Sequence, residues 1–410
     1  MLNETFSDPV PAAASILGWS EVTHRLGYHT LLQGFAETAA ERDVARRPIH
    51  QETAALKARG FGAVRLTEGL TLPEFFALIR DVATADPNIA HVFRNHFFAV
   101  ETHARTPEQD FSARILGFAH QGAMFGVAFS ESGAGPAGGQ GQIPLARLEK
   151  DGLGFRISGT KIYSTGNMYA DYLFASAVDD QGRTRQFFIP TTADGVGLED
   201  DWTGFGQKLT GSGKTVFDRV RIEADELFDV PVRNQTEPFL YAFTFHQVYL
   251  TTIISGIANR ILGDALHLVR SRSRNFYHAL HDHPAQEPEI QSVIGRISAH
   301  RAAITAVTER AVDALDRAWA GADRPQAQAL SVAASIAAAE AKVVVDEAAP
   351  MIASLLIDVA SGSGVTVQRA LDRHWRNIKV ISSHNPRIYK ERVLGDHYLN
   401  GTLPPTGAFF

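Results

Sequence analysis

The chain has 410 residues, of which 45% are hydrophobic and 20% charged, with a formal net charge of -6 and no cysteine. Such a composition is that of an ordinary globular protein, long enough for two or three domains on a prior of roughly 100–200 residues each. It offers no electrostatic case for nucleic acid or an anionic membrane, and it excludes disulfides, thiolate metal sites and a cysteine nucleophile.

The first residues, MLNETFSDPVPAAAS, are acidic and lack a basic start followed by an apolar core, so no signal peptide is expected; a cysteine-free chain also suits a reducing cytoplasm. Residues 19 to about 121 carry helical spacing with short breaks, including DPNIAHVFRNHFFAVETHA after an Asp86-Pro87 start. From about 122 to 235 glycine clusters separate short runs rich in β-branched and aromatic residues, such as FRISGTKIYSTG, YLFASAV and TVFDRVRI, which predict an antiparallel β domain. Long helical patterns return from Phe239, with alanine-rich stretches at 299–320 and 327–360. The most apolar of these, VVVDEAAPMIASLLIDVA, is interrupted by Asp346, Glu347, Pro350 and Asp358, and a bilayer span needs ~20 largely uncharged residues. The order predicts an α+β multidomain protein: an N-terminal helical domain over 1–121, a central β-barrel-like domain over 122–235 and a C-terminal helical bundle over 236–410.

Near the end, Val367 to Ser382 reads as a helix, with Val367, Leu371, Trp375, Ile378 and Ile381 forming one apolar stripe. Pro386 forbids the helical region to Asn385, so the helix should stop there and leave His384 on its buried edge.

Three motifs are set aside. GAGPAG (133–138) fits a dinucleotide fingerprint, but glycines and a proline follow it instead of a helix start. GSGKT (211–215) has Lys208 where a phosphate loop needs glycine, and it runs into a strand-like segment. HALHDHP (278–284) could offer histidines to zinc, yet it reads as a loop between helices, so no metal site is expected.

The helix–β–helix order and three spaced motifs resemble the acyl-CoA dehydrogenase superfamily over nearly the whole chain. VAFSESGAG is similar to that family's strand-end motif, with Ser130 before Glu131. ISGTKIYSTG resembles the second, with Tyr163 and Thr165 lining the flavin ring, and DDWTGFGQKLTGSGKTVFDRVRI the third, which starts at Trp202. The resemblance implies a C-terminal four-helix bundle and a flavin between it and the β domain. Flat apolar walls from Tyr163 and Trp202 and polar contacts from Ser130 and Thr165 would suit an isoalloxazine.

Acyl-CoA dehydrogenases need a carboxylate base, and this chain lacks one in both places the family uses. SSHNP stands where a Glu motif is usual, and FLYAFTFHQVYLTTIISGIANRILG holds no Asp or Glu. The ending LDRHWRN…SSHNP instead resembles the branch of flavin-dependent monooxygenases that oxidise organosulfur compounds. There His384 matches a histidine facing the flavin, His91 in AHVFRNHF matches a second, and Asn95 stands where relatives can have Tyr. Arg274 in RSRSRNF resembles an arginine that reaches the flavin phosphate.

The resemblance therefore implies a two-component monooxygenase using reduced flavin and O2 to oxygenate a small organic, organosulfur or heteroaromatic substrate through a peroxyflavin. It implies FMN, with FAD left open, a separate NAD(P)H:flavin reductase as partner, and a cytoplasmic homotetramer. The catalytic group would be His91, His384, Asn95 and Thr165, and the flavin contacts Ser130, Tyr163, Thr165, Trp202 and Arg274. The alternatives are an acyl-CoA dehydrogenase or oxidase with an unrecognised base, and a flavin-free helical scaffold.

Overall fold

Asp86 and Pro87 show how local sequence divides the helices of the first region. The structure, a computed structural model, describes residues 18–133, 143–229 and 241–410. The first fifteen residues and most of GAGPAG lie outside the described residues. Eight helices come first: α1 (Glu21–Arg25), α2 (His29–Ala45), α3 (His50–Lys57), α4 (Val64–Thr67), α5 (Leu72–Ala85), α6 (Pro87–Val92), α7 (Arg94–Ala104) and α8 (Asp110–His120). Helix α5 opens with a capping box between Thr71 and Glu74 and ends at Asp86, in extended conformation before Pro87. The Asp86 carboxylate then accepts from the Asn88 backbone N–H at 2.9 Å and starts α6, with Pro87 at a position whose N–H would be unused.

The middle region forms one sheet of eight strands among the described residues: β1 (Phe125–Ala128), β2 (Arg147–Asp151), β3 (Gly154–Lys161), β4 (Tyr172–Val178), β5 (Thr184–Pro190), β6 (Val196–Glu199), β7 (Lys214–Ile222) and β8 (Leu227–Asp229). The order is β6-β7-β3-β2-β4-β5-β8, with β1 added beside β4. All ladders are antiparallel except β1 with β4 and the short β2 with β4. GSGKT leads directly into β7, in keeping with a turn before a strand.

The last region holds three long helices, α9 (Tyr241–Arg270), α10 (Pro288–Ala320) and α11 (Ala327–Ala360), and two shorter ones, α12 (Arg373–Ser382) and α13 (Arg387–Asn400). Helix α9 is apolar nearly all round because it is central, packing on α5 on one side and on α10 and α11 on another. One hydrophobic core therefore runs from Phe75, Ile79 and Phe97 through Phe245, Tyr249 and Ile253 to Leu315 and Leu356. A separate aromatic layer of Phe98, Phe125, Phe174 and Phe188 seats α7 on the sheet. No helix among the described residues is long and apolar enough to cross a membrane.

The expected stripe before His384 is half right. Leu371, Ile378 and Ile381 are buried, but Val367 is 70% and Trp375 41% exposed. The reason is backbone: Ala370 adopts the left-handed region (φ 47°), so α12 begins only at Arg373 and residues 367–369 form a separate single turn. Trp375 stacks on Phe205 at the surface instead, with ring centres 6.0 Å apart. The HALHDHP segment is an exposed loop tied down by Glu287, whose carboxylate accepts from the backbone of Leu280 and His281. Among the described residues no group of three metal-ligating side chains is gathered.

Candidate active site

Four segments converge at the site: α6 and the start of α7, the turn after β3, the 203–213 segment, and the end of α12. Two glycines allow the approach. Gly166 (φ 86°) lies where a Cβ would meet the Val92 carbonyl at 2.5 Å, and Gly206 where a Cβ would meet the Arg376 carbonyl at 2.2 Å. The first brings the Tyr163–Gly166 turn against α6. The second presses the GFGQ run onto α12 and holds Gln207 in the left-handed region (φ 50°).

The two histidines of AHVFRNHF have opposite fates. His96 is a structural pin: its Nε2–H donates to the Gly62 carbonyl at 2.8 Å, and its Nδ1 accepts from the Phe125 N–H at 3.1 Å. Both nitrogens of a neutral ring are thus used. His91, buried on the last turn of α6, donates from Nδ1–H to Gln207 Oε1 at 2.8 Å, and its Nε2 is buried with no protein partner. The Gln207 N–H in turn donates to Asn377 Oδ1 of α12 at 2.7 Å.

Arg94, at the start of α7, reaches the other predicted histidine. Its Nη1 donates to His384 Nε2 at 3.1 Å. An arginine is always a donor, so His384 Nε2 must be the lone-pair nitrogen and its proton sits on Nδ1. That Nδ1 is closed off from solvent and unpaired, although the residue as a whole is half-buried. His246 of α9 completes the group, 6.4 Å from the His384 ring and stacked on Phe98 at 4.8 Å, with Nε2 likewise unpaired. The Phe409 ring covers His384 from the other side, at 5.2 Å.

Asn95 donates from Nδ2 to the Thr165 carbonyl at 2.7 Å, leaving its own Oδ1 unpaired. The Thr165 hydroxyl pairs with Ser212 Oγ at 2.8 Å, and Ser212 with Thr210 at 2.7 Å. Ser164 Oγ is the buried hydroxyl left without a partner in that turn.

The fixed charge of the cluster is that of Arg94. Burial lowers His91 to about 3, helped by the Arg94 charge and opposed by the Gln207 bond. Burial and Arg94 push His384 and His246 well below the usual histidine range. The charges felt by His384 are Arg94, His91 and Lys342, with no carboxylate among them. Without ligand, all three rings are neutral at neutral pH.

Of the residues singled out from sequence, His91, His384, Asn95 and Thr165 are drawn together through Arg94, Gln207 and the Gly166 turn. Tyr163 and Trp202 stand side by side, rings 6.4 Å apart and nearly perpendicular, but Tyr163 is 66% exposed in the left-handed region (φ 53°). Ser130 is exposed beside them, its carbonyl accepting from the Ile162 N–H. Its neighbour Glu131 fixes that strand end through a buried 2.6 Å ion pair with Lys161. Arg274 lies on the exposed loop after α9 and takes no part in the cluster's hydrogen bonds. Sequence reasoning missed Arg94, Gln207, His246 and Ser164. Two carried a signal: Arg94 follows His91 by three residues, and His246 lies in the stretch from Phe239 to Gly263 that holds no Asp or Glu.

Residues 249–386 match the family model for the acyl-CoA dehydrogenase C-terminal domain. Over 90% of its length the chain is 27% identical to a probable FMNH2-dependent monooxygenase, SfnC, of Pseudomonas putida, covering 93% of that protein. It is 26% identical to the dibenzothiophene monooxygenase of Rhodococcus erythropolis, over 92% of this chain and 93% of the other. The solved structure of methanesulfinate monooxygenase MsuC from Pseudomonas fluorescens superposes with a TM-score of 0.83 at 28% identity, over 95% of this chain and all of that one. The chain thus matches the acyl-CoA dehydrogenase C-terminal domain over residues 249–386, and over nearly its whole length it is similar, in sequence and in helix–sheet–helix architecture, to reduced-flavin-dependent monooxygenases.

Proposed function

We propose that this protein is a reduced-FMN-dependent monooxygenase that inserts one atom of O2 into a small organic substrate, of the organosulfur class on which its relatives act. The observation that carries the reading is the carboxylate-free cluster of His91, Arg94, His246 and His384, each with a buried polar atom that no protein group satisfies. Native proteins pair nearly all such atoms, so a run of exceptions in one place marks a ligand site.

The residues present fit a flavin. Unpaired acceptors at His91 Nε2 and Asn95 Oδ1 and unpaired donors at Gln207 Nε2 and His384 Nδ1 suit its alternating polar edge, with Ser164 Oγ able to serve either way. Tyr163 and Trp202 offer exposed aromatic surface beside them. Arg274 is the residue assigned to the FMN phosphate by the family resemblance.

The chemistry supplied by bound reduced FMN is two-electron activation of O2, one oxygen atom going to substrate and the other to water. His384 holds a proton at Nδ1, on the side where it meets no protein acceptor, and Arg94 keeps it there by occupying Nε2. His91 offers a lone pair at Nε2, oriented by Gln207, and can take up or return a proton in the same space. Burial of Asn95, Arg94 and His91, with Phe98 and Phe409 as apolar cover, excludes the water that would divert reduced flavin and O2 to hydrogen peroxide.

No carboxylate base for α-proton abstraction is present in the cluster, which argues against acyl-CoA dehydrogenation. A chain with no credible nicotinamide site needs its FMN reduced elsewhere, hence a separate NAD(P)H:flavin reductase. The test is anaerobic titration with reduced FMN, then rapid mixing with O2 and a panel of organosulfur compounds. The reading expects tight binding of reduced FMN and one oxygenated product per flavin. Dye reduction by an acyl-CoA, with no oxygenation of the panel, would replace it.

A further inference from the structure

Among the described residues three arginines are fully enclosed, and one of them differs from the rest. Arg42 has Asp86 at 2.8 Å and Arg373 has Asp264 at 3.1 Å. Arg94, 4% exposed, has no carboxylate. Its Nη1 is spent on a neutral imidazole, its Nε is buried without a hydrogen-bond partner, and the group that favours its charge is the phenol of Tyr249. A buried cation without a counter-ion is among the costliest features a fold can carry. Around it stand His91 Nε2, His246 Nε2 and His384 Nδ1, all unpaired and none bringing negative charge.

We propose that Arg94 is the receptor for an organic oxyanion, so that the substrate carries a sulfinate, sulfonate or carboxylate group, held by the guanidinium through the Nε–H that no protein group accepts. The apolar remainder of such a molecule would lie towards Phe98 and Phe409, which flank His246 and His384. The name of the reaction rests on the monooxygenase reading; the anion site rests on Arg94 alone.

An anion here does more than fill space. The present suppression of His91, His246 and His384 comes from burial and then from the Arg94 charge. A bound oxyanion answers that charge and removes the second of the two causes, so the rings become more basic with substrate in place than without it. An aromatic sulfur heterocycle carries no charge and would leave Arg94 unanswered.

The anion could instead be supplied by the flavin, through its phosphate or its reduced ring, and the experiment separates the sources. Calorimetry is run on FMN-loaded and FMN-free protein with benzenesulfinate, benzenesulfonate, benzoate and neutral methyl phenyl sulfone, for wild type, Arg94→Met and Arg94→Lys. At least one anion is expected to bind more tightly than the sulfone. Arg94→Met should weaken it about 10- to 100-fold and Arg94→Lys less, with FMN affinity changed less than about threefold. Ligand-free Arg94→Met should melt no lower than wild type, because it removes an unanswered charge.

The proposal is overturned if no anion binds wild type, if Arg94→Met loses FMN in step with the anion, or if it melts lower while anion binding persists. Failure of the monooxygenase reading looks different: Arg94-dependent anion binding remains, but reduced FMN and O2 yield no oxygenated product.

Discussion

His91 Nδ1 and Gln207 Oε1 lie 2.8 Å apart, and the backbone N–H of the same glutamine reaches Asn377 Oδ1 at 2.7 Å. The first contact sets the tautomer of His91, and the second sets the glutamine. Gln207→Leu should leave a buried N–H without an acceptor, at a cost of about 1–3 kcal/mol seen in denaturant unfolding. Gln207→Glu places a carboxylate on the same N–H and should raise His91 from its value of about 3. The check is the imidazole titration by NMR, together with the pH profile of product yield. A merely structural glutamine would change stability and leave the pH profile where it was.

A different buried arginine makes the opposite prediction to Arg94. Asp264 accepts from Arg260 Nε at 2.7 Å, Arg373 Nη2 at 3.1 Å and His374 Nε2–H at 2.7 Å. The two guanidinium charges, with the His374 hydrogen bond, overcome burial and hold the carboxyl well below the usual range. Asp264→Asn strands Arg373 and should cost about 3–5 kcal/mol in urea unfolding. Removal of an arginine's partner therefore destabilises here, whereas removal of Arg94 itself does not. Equal losses in the two variants would mean that Arg94 is an ordinary structural cation.

The contrast bears on what can be read from sequence. Helix–strand–helix order follows from local periodicity and glycine punctuation, so it was legible, as were the breaks at Asp86-Pro87 and Asn385-Pro386. The helix before His384 was extended too far, because nothing in VQRALD announces that Ala370 will adopt a left-handed backbone. His384 drew notice from its place at a helix end and was paired with His91 by the resemblance, 293 positions apart in a chain that only folding closes. Gln207 and Arg94 were not found, since a glutamine in a glycine-rich turn and an arginine on a helix are surface residues by default. Their burial, and the missing counter-ion of Arg94, are tertiary facts.

Acid should destabilise the protein from a pH higher than carboxylate titration would set. Burial holds His91 at about 3 and His96, His103 and His374 at about 4. Each folded value lies below the unfolded one near 6.5, so below that pH the unfolded chain takes up protons that the folded chain refuses. Stability is full above about 6.5 and is lost as pH falls towards 4, by about 1 kcal/mol or more per ring at pH 5.5. His96 gives the most direct case, because protonating Nδ1 breaks its bond from Phe125. Melting curves from pH 8 to 5 should fall steeply below about 6.5, and His96→Gln should flatten that limb. A melting temperature constant to pH 5 would refute the assignment of these rings as buried and neutral.

The sharpest expectation concerns His384. Its Nδ1–H is buried and unpaired, its Nε2 is held by Arg94 at 3.1 Å, and no carboxylate competes for its proton. If this ring takes up a second proton in the turnover complex and delivers it to the oxygenation step, His384→Ala should keep the fold and FMN binding but slow oxygenation about 10²–10⁴-fold. Reduced flavin would then be spent on hydrogen peroxide. His91→Ala should act in the same direction, and the double variant should lose less than the product of the two single losses, since both rings serve one space. A helix-end packing role predicts instead a lower melting temperature with product per O2 intact. Product and peroxide yields per reduced FMN, measured beside thermal unfolding, separate the two accounts. A His384→Ala protein that is destabilised yet fully coupled would move proton delivery to His91 or His246.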